Sequence, residues 1–461
     1  MQKAEKIGYS IFMEARKVVF TFDDMIASLR RAMITFPDLR TGKNTRYEIQ
    51  DAASGAFSVF FTQCPSFLEH QKLMQQRYGL SNAKTLFGMK DIPSNNHIRN
   101  LLDKVSPNLL SGVFTDCFTA LKRSGDIDTY RVSLGRNMND LLIALDGTQY
   151  FASDTLHCDN CSKKVKDGKQ IYAHTMVTPT IVKPGNNKVI SLAPEFITPQ
   201  DGDKKQDCEI KASKRWLKAY APVYNYEGIT VLGDDLYAHE PFCRDILKNK
   251  FNFIFVCKPE SHKTVYEWLK ESTKEKKLDR FDGKNHQIYT YKYMEGVPLR
   301  DIVKKEDKPL LVNFVEVTVT DRKSGEQIYH NAFITNHPLT DETMVTIVDC
   351  GRARWKIENE NNNTLKTQGY HLEHNFGHGE NYLASLFATM NILAFLFHTM
   401  LEFMDGKYQL LRKVLGARKR LFEHIRVLLI HIPCTNFDHF LTYMIESLKN
   451  PIPIEELRFP V

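Results

Sequence analysis

The alternation of strand-like runs and amphipathic helices between residues 141 and 279 constrains the fold of this chain more than any other feature. Three successive runs are rich in β-branched and aromatic residues, and polar, glycine-bearing segments separate them. They are LLIALDGTQYFAS (141–153), QIYAHTMVTPTIV (170–182) and KVISLAPEFI (188–197). Helical patterns then alternate with the strand-like runs GITVLGDD and NFIFVCK. The order βββαβαβα predicts an α/β fold with a mixed five-stranded sheet and helices on its faces.

Regions of different periodicity flank this predicted core. The N-terminal part carries apolar residues at helical spacing, and a later segment is again rich in strands. A helix follows, with Gly369 at its C-terminal cap, and the remainder is helical and basic. We predict a helical, DNA-binding N-terminal region (1–135), the first part of the core (136–279), a β-rich insertion (280–350), the second part of the core (351–405) and a helical C-terminal region (406–461).

Charge, cysteine content and hydropathy restrict the class of protein. The 62 Lys and Arg exceed the 55 Asp and Glu, and the net charge of +7 is compatible with a polyanionic partner. Nine cysteines, an odd number in a long chain, favour a reducing cytosol over a disulfide framework. Asn391 and His398 interrupt the most apolar segment (383–404), which predicts a buried core helix rather than a membrane span. The N-terminal residues lack the apolar core of a signal peptide, so we expect a cytoplasmic protein.

One N-terminal segment has a well-defined helix start. In PSNNHIRNLL, Ser94 precedes a polar first turn, and Ile98, Leu101 and Leu102 follow at the spacing of a buried face. A polar, amide-rich first turn is typical of a helix that reads the major groove of DNA. An ordinary capped helix in a bundle explains the same pattern equally well.

Acidic residues occur at the ends of predicted elements. Asp146 lies in the first strand, Asp234 and Asp235 end the fourth, and Glu358 lies on the helix after the insertion. The first and fourth strands are neighbours in a sheet of this order, so their carboxylates can meet. Carboxylates that lie close together repel one another, and a cation neutralises them. Oxygen ligands indicate Mg²⁺ or Mn²⁺, and two such ions suit a phosphodiester displacement. Because successive strand residues face opposite sides, only one of the two adjacent aspartates can share a face with Asp146.

These motifs resemble those of the DDE transposases of bacterial insertion sequences, which have a ribonuclease H-like fold with a β-rich insertion. The resemblance covers about residues 45–405 and rests on LDGTQYF, GDDLY, ITN and RWKIE. In that family the second aspartate stands three residues before an aromatic residue, which selects Asp234, three before Tyr237. The family's Y-x2-R-x3-E-x6-K motif is matched in part, because Gly351 occupies the tyrosine position and Lys366 comes one residue late.

The resemblance implies an activity and a ligand set. Asp146, Asp234 and Glu358 would bind two Mg²⁺ or Mn²⁺ ions for cutting the element's ends and joining them to target DNA. Arg354 and Lys366 would contact DNA phosphates. Double-stranded DNA and a second copy of the chain would be the partners, in a bacterial cytoplasm. A metal-dependent nuclease of the same fold and a catalytically silent DNA-binding descendant remain open alternatives.

A basic stripe accompanies these motifs in KKQDCEIKASKRWLK. It contains Lys204, Lys205, Lys211, Lys214, Arg215 and Lys218. Such a stripe is usually a solvated helix face, but beside an acidic site it is also what a DNA track requires. We select Lys214 and Arg215 as DNA contacts and expect Asp207 and Glu209 to have structural or supporting roles.

Two segments combine potential metal ligands. HCDNC offers His157, Cys158 and Cys161, with His174 across the predicted hairpin. A single CxxC pair is usually two free thiols, and zinc binding stays open. The segment YHLEHNFGHGENY contains His371, His374 and His378 with Glu373 and Glu380. A metal cluster is one interpretation, and the favoured one is a turn beside the site that helps to hold DNA or the helix packing.

Overall fold

A computed structural model describes residues 20–41, 46–135, 138–199, 208–299 and 308–449. Over these ranges the chain is an α/β protein, as predicted, with two β-sheets and helices packed around them. The N-terminal helices are α1 (Phe22–Met33), α2 (Ile49–Phe61), α3 (Phe67–Met74), α4 (Gly79–Phe87), α5 (Asn95–Leu102) and α6 (Ser111–Ser124).

The α5 helix has the predicted start. Ser94 is its N-cap, and the backbone N–H of His97 donates to the Ser94 hydroxyl at 3.4 Å. Ile98 and Leu102 are buried, whereas Leu101 is only partly buried. A DNA-reading role for this helix stays a prediction.

The central part of the chain provides most of the strands. They are β1 (Val132–Ser133), β2 (Asn139–Ala144), β3 (Gly147–Ser153), β4 (Ser162–Lys166), β5 (Lys169–Val177), β6 (Thr180–Lys183), β7 (Asn186–Ser191), β8 (Glu195–Ile197), β9 (Ile229–Gly233) and β10 (Asn252–Val256). Three helices alternate with the last two of these strands: one lies before β9, one between β9 and β10, and one after β10. They are α7 (Glu209–Tyr224), α8 (Glu240–Lys248) and α9 (Lys263–Glu271).

The larger sheet contains the predicted neighbours. Its strand order is β11-β12-β13-β14-β10-β9-β2-β6-β7, with β1 added on β2. β2, β9 and β10 run parallel, while β6 is antiparallel to β2 and β7 is antiparallel to β6. The first and fourth predicted strands, β2 and β9, are therefore paired, and their carboxyl ends lie at the same edge.

The β-rich segment extends this sheet instead of forming a separate one. Its strands are β11 (Lys276–Asp282), β12 (Gln287–Leu299), β13 (Leu310–Asp321) and β14 (Gln327–Thr335). β14 pairs with β10, so the sheet has ten strands where the sequence predicted five. The helix predicted after NFIFVCK ends earlier than expected, because the lysine-rich residues that follow it begin β11.

Each of the three long predicted strands bends and passes from one sheet to the other. β2 continues into β3, β5 into β6, and β7 into β8, and the second, four-stranded sheet has the order β3-β5-β4 with β8 on β5. Pro179 and Pro194 lie at two of these bends, where a residue without a backbone N–H is tolerated. Asp146 lies at the third bend rather than inside a strand, which corrects the predicted single run 141–153.

The helices after the insertion complete the fold. They are α10 (Thr343–Arg352), α11 (Asn363–Thr367), α12 (Leu383–Met404), α13 (Gly406–Leu415), α14 (Arg418–His431) and α15 (Phe437–Lys449). Among the described helices, α12 is long and apolar enough to cross a membrane, but 89% of its most apolar window is buried in the protein. Its Phe397 packs edge-on against Phe57 of α2 at 5.2 Å, so α12 is the predicted core helix.

Candidate active site

Asp146 lies at the bend between β2 and β3, at the carboxyl edge of the larger sheet. Its backbone carbonyl accepts a hydrogen bond from the backbone N–H of Thr178 at 3.0 Å, which joins two neighbouring bends. Its Oδ2 accepts a hydrogen bond from Asn362 Nδ2 at 3.0 Å. The side chain is only partly exposed, so one carboxylate oxygen has a fixed partner within a half-buried corner.

The two adjacent aspartates after β9 have different partners. Asp234 caps the short 3-10 turn Asp235–Tyr237, and its Oδ1 accepts from the backbone N–H of Leu236 at 2.9 Å. Asp235 instead accepts from the backbone N–H of Lys258 at 2.6 Å and lies 3.3 Å from His262 Nε2. Asp235 therefore holds the segment after β10, while the charge of Asp234 acts on Asp146.

Glu209, the first residue of α7, brings a further carboxylate to this corner. Its Oε1 accepts a hydrogen bond from the Tyr237 hydroxyl at 2.7 Å. A β-carbon on Gly147 would lie 2.7 Å from Glu209 Cδ, so the close approach of this glutamate to the Asp146 bend requires glycine. Burial raises the pKa of Glu209, and the Asp234 carboxylate raises it further.

Glu358 lies on a π-helical turn (Ile357–Asn362) between α10 and α11. The segment is helical from Thr343 to Thr367, but it passes through a 3-10 turn and this π-turn, where the sequence predicted one regular helix. Wide π-turns occur often at functional sites. Arg354 Nη1 lies 2.6 Å from Glu358 Oε1, and about half of the Glu358 side chain is exposed to solvent.

The Asp146 carboxyl is subject to the negative charges of Glu209, Glu358 and Asp234, and these four groups are called the carboxylate cluster. Burial raises the pKa of Asp146 to about 7, and the negative charges of Glu209, Glu358 and Asp234 add to this shift. The Arg354 guanidinium acts in the opposite direction. Asp235, next to Asp234, and Glu360, two positions after Glu358, are not among the largest contributions to this shift.

The amide-rich run after Glu358 supports the cluster. Asn362 donates to Asp146, and its own Oδ1 accepts from the Thr178 hydroxyl at 2.8 Å and from Asn361 Nδ2 at 3.0 Å. The Ser191 hydroxyl donates to Asn361 Oδ1 at 2.7 Å. The π-turn thus attaches to all three strand bends through buried polar contacts, and these contacts orient the Asp146 carboxylate.

The four predicted DNA contacts all have carboxylate partners in the structure. The nitrogen–oxygen distances are 2.6 Å for Arg354–Glu358, 2.9 Å for Lys366–Glu373, 2.9 Å for Lys214–Asp245 and 2.8 Å for Arg215–Glu195. Lys366 therefore pairs with Glu373, and the π-turn breaks the regular spacing that would place it on the Glu358 face. Lys204, Lys205 and Asp207 lie outside the described residues.

Gly351 occupies the tyrosine position of the Y-x2-R-x3-E-x6-K motif, and the structure shows why a small residue is needed there. A β-carbon on Gly351 would lie 2.6 Å from Phe333 Cε1 on β14, so the helix packs closely against the extended sheet. A tyrosine at this position would collide with that ring.

Comparison with known families gives the identity of this region. Residues 197–396 match the family model described as Transposase DDE domain. Residues 197–396 are therefore similar to a transposase DDE domain. The match includes Glu209, Asp234 and Glu358 of the carboxylate cluster, whereas Asp146 precedes it. No curated protein matches the chain.

Sequence reasoning missed two residues at or beside the carboxylate cluster. Glu209 was assigned a structural or supporting role, yet its charge is the largest of the neighbouring effects on Asp146. Asn362 was overlooked, although it is the residue that holds the Asp146 carboxylate. The run ENENNN beside Glu358 was the available signal, because an amide close to a carboxylate can donate to it and orient it.

Proposed function

We propose that this transposase cuts the ends of a mobile DNA element and joins them to target DNA by metal-dependent phosphoryl transfer on a ribonuclease H-like core. The observation that carries the proposal is that the charges of Asp234, Glu358 and Glu209 act on Asp146 at one sheet edge. The transposase family match includes three of these four residues. Strand order supports the fold assignment, since β2, β9 and β10 run parallel and β6 pairs antiparallel with β2.

The donor set suits hard divalent cations. The raised pKa of Asp146 reflects negative charges that a bound cation would neutralise, and carboxylate oxygens are the ligands that Mg²⁺ and Mn²⁺ prefer. Asp146, Asp234 and Glu358 are the proposed ligands of two ions, and Glu209 is a fourth carboxylate within reach of the same site. When bound, two such ions would stabilise the attacking and leaving oxygens of the phosphodiester.

Arg354 has two proposed roles. In the structure it pairs with Glu358 and offsets the negative charge around Asp146. With Glu358 engaged by a cation, the guanidinium would be free to contact a DNA phosphate, for which its planar fork of donors is well suited. Asn362 keeps the Asp146 carboxylate oriented, and Tyr237 does the same for Glu209.

DNA recognition is assigned to basic residues around the cluster. Lys214 forms an exposed ion pair with Asp245 that a phosphate can replace at small cost, because exposed ion pairs contribute about 0–1 kcal/mol. Arg215 and Lys366, whose ion pairs are less exposed, are proposed as further phosphate contacts. The helical N-terminal region would read the terminal inverted repeats. Two ends must be joined, so a homodimer on DNA in the bacterial cytoplasm is the proposed working form.

The test uses the full chain, Mg²⁺ or Mn²⁺, and labelled duplexes that carry the ends of the element flanking its gene. Wild type should nick these ends and then form joined products. Asp234→Asn and Glu358→Gln should abolish both, whereas the matched variants Asp235→Asn and Glu360→Gln should retain cleavage. Asp146→Asn should also be inactive.

The pattern of products distinguishes the alternatives. If the protein cuts DNA without preference for the element's ends and forms no joined products, the assignment changes from a transposase to a nuclease of the same fold. Tight, end-specific binding without cleavage in wild type would identify a catalytically silent DNA-binding descendant. Equal loss of activity in Glu358→Gln and Glu360→Gln would refute the assignment of Glu358.

A further inference from the structure

A second group of potential metal ligands lies apart from the carboxylates. Cys158, Cys161, His174 and His378 place one ligand atom each within 4.8 Å of one another. The two cysteines lie in the hairpin between β3 and β4, His174 lies on β5, and His378 lies in the segment between α11 and α12. Three separate parts of the chain therefore supply the four atoms.

The distances within this group fit a single tetrahedral ion. The two sulfurs are 3.9 Å apart, three of the four sulfur-to-nitrogen distances are 3.6, 3.4 and 3.4 Å, and the Nε2 atoms of His174 and His378 are 3.1 Å apart. Tetrahedral zinc with Zn–S of about 2.3 Å and Zn–N of about 2.0–2.1 Å requires about 3.8, 3.6 and 3.3 Å for these pairs. The sulfur separation also far exceeds the bond of about 2.05 Å in a disulfide.

The histidine His378 is prepared to act as a ligand. Its Nδ1 lies 2.7 Å from the carbonyl oxygen of Gly379, and only a protonated nitrogen can donate to a carbonyl. The lone pair is therefore on Nε2, the atom that faces Cys161 and His174. Such a contact to the second ring nitrogen is the usual way in which proteins orient a histidine ligand.

Aromatic rings enclose the group. The Phe151 ring lies 4.5 Å from that of His378, and Tyr150 stacks on His174 at 5.7 Å. Cys161 and His174 are buried. Four protein ligands in an apolar surrounding form a closed site, which is typical of a structural ion rather than a catalytic one.

The ligand set differs from the one that the sequence suggested. His157, the histidine next to Cys158, stacks on Tyr172 at 4.4 Å and is exposed. His378, which lies 217 positions from Cys161, takes its place. The favoured interpretation of the histidine-rich turn, support for DNA or helix packing, therefore does not account for His378.

We propose that Cys158, Cys161, His174 and His378 bind one structural Zn²⁺ ion. Thiolate and imidazole ligands in a tetrahedral arrangement favour zinc over the hard cations proposed for the carboxylate cluster. The ion joins the hairpin that follows the Asp146 bend to the segment that follows the Glu358 helix. It therefore fastens together two parts of the fold that carry proposed ligands, although the proposal does not depend on DNA cleavage.

The test measures metal in the purified full chain after removal of any affinity tag and without chelators. Elemental analysis should find about one zinc per chain, as expected for a closed four-ligand site. Cobalt replacing zinc should give the intense visible bands of a tetrahedral ion with sulfur ligands. Cys161→Ser and His378→Ala should each lose most of the metal.

Matched controls separate this site from adventitious binding. His157→Ala removes the neighbouring histidine, and Cys208→Ser removes an exposed cysteine at the start of α7. Both should keep zinc at the wild-type level. Wild-type protein that contains no zinc and takes up none from an equimolar solution would overturn the proposal, even if a ligand variant fails to fold. Stoichiometric iron, or zinc that survives in His378→Ala but not in His157→Ala, would overturn it as well.

Discussion

Replacing Asp146 by asparagine should stabilise the metal-free protein while it abolishes cleavage. Burial and three neighbouring carboxylates raise the pKa of Asp146 from 3.8 to about 7. The folded protein thus holds a proton on this group that the unfolded chain has released between about pH 4 and 7. Stability from this group is fully present below about pH 4 and is lost as pH rises through about 7. At pH 8 the carboxylate is ionised and lowers the free energy of unfolding, and the substitution removes this destabilising charge.

The size of the effect follows from the shift. The difference between 3.8 and about 7 corresponds to about 4 kcal/mol at about 1.36 kcal/mol per pKa unit. Partial solvent access and relaxation reduce this value, so we expect a gain of about 1–3 kcal/mol in the free energy of unfolding at pH 8. The new amide oxygen in Asp146→Asn can still accept the hydrogen bond from Asn362, which keeps the local structure intact.

Urea unfolding in EDTA at pH 5 and pH 8 measures this prediction. The stability difference between Asp146→Asn and wild type should grow with pH, and Mg²⁺ should stabilise wild type more than the variant. Asp140→Asn is the matched control at the other end of β2, where Asp140 accepts from Thr230 at 2.7 Å and Asn252 at 2.8 Å. That variant should gain no stability at pH 8. A destabilised Asp146→Asn whose deficit does not change with pH would refute the reasoning.

Three further perturbations test the surroundings of the site and the core. Gly147→Ala would push the Glu209 carboxylate away from Asp146. The cleavage rate should therefore fall at least about tenfold, while the free energy of unfolding changes by less than about 2 kcal/mol. Activity equal to that of wild type in a nicking assay would contradict this contact. Asn362→Ala leaves Asp146 Oδ2 without its donor and should lower the cleavage rate about 10–100-fold, with an increased Mg²⁺ requirement in a titration. Burial lowers the pKa of His70 from 6.5 to about 3, so the folded state stays neutral while the unfolded chain takes up a proton below about pH 6.5. Stability should fall by about 2 kcal/mol between pH 7 and pH 5 through this group, and His70→Gln should show a flatter pH dependence of unfolding than wild type.

Much of the local structure was readable from the sequence. The periodicity of FDDMIASLRRAM and the capped start of SNNHIRNLL predicted helices that begin at Phe22 and Asn95. The runs around Val231 and Ile254 predicted the adjacent strands β9 and β10. These features depend on residues within a few positions of one another, where side-chain spacing and capping groups act directly.

Residue type and order along the chain are enough to identify the side chains that are available for chemistry. The sequence identified Asp146, Asp234 and Glu358 as candidates because each occurs within a motif on or beside a predicted element. The resemblance to the DDE transposases selected Asp234 over Asp235 through the spacing to Tyr237. Those assignments depend on order along the chain, which a linear pattern contains.

Which distant groups meet depends instead on how the chain folds. Three strands bend between two sheets, and these bends bring Glu209 and Asn362 to Asp146. In the same way, the path of the segment before α12 puts His378, not the adjacent His157, beside Cys161. Periodicity along a strand shows which face a residue occupies, but the position of a bend and the partner across it depend on how the sheets and helices pack over the whole chain.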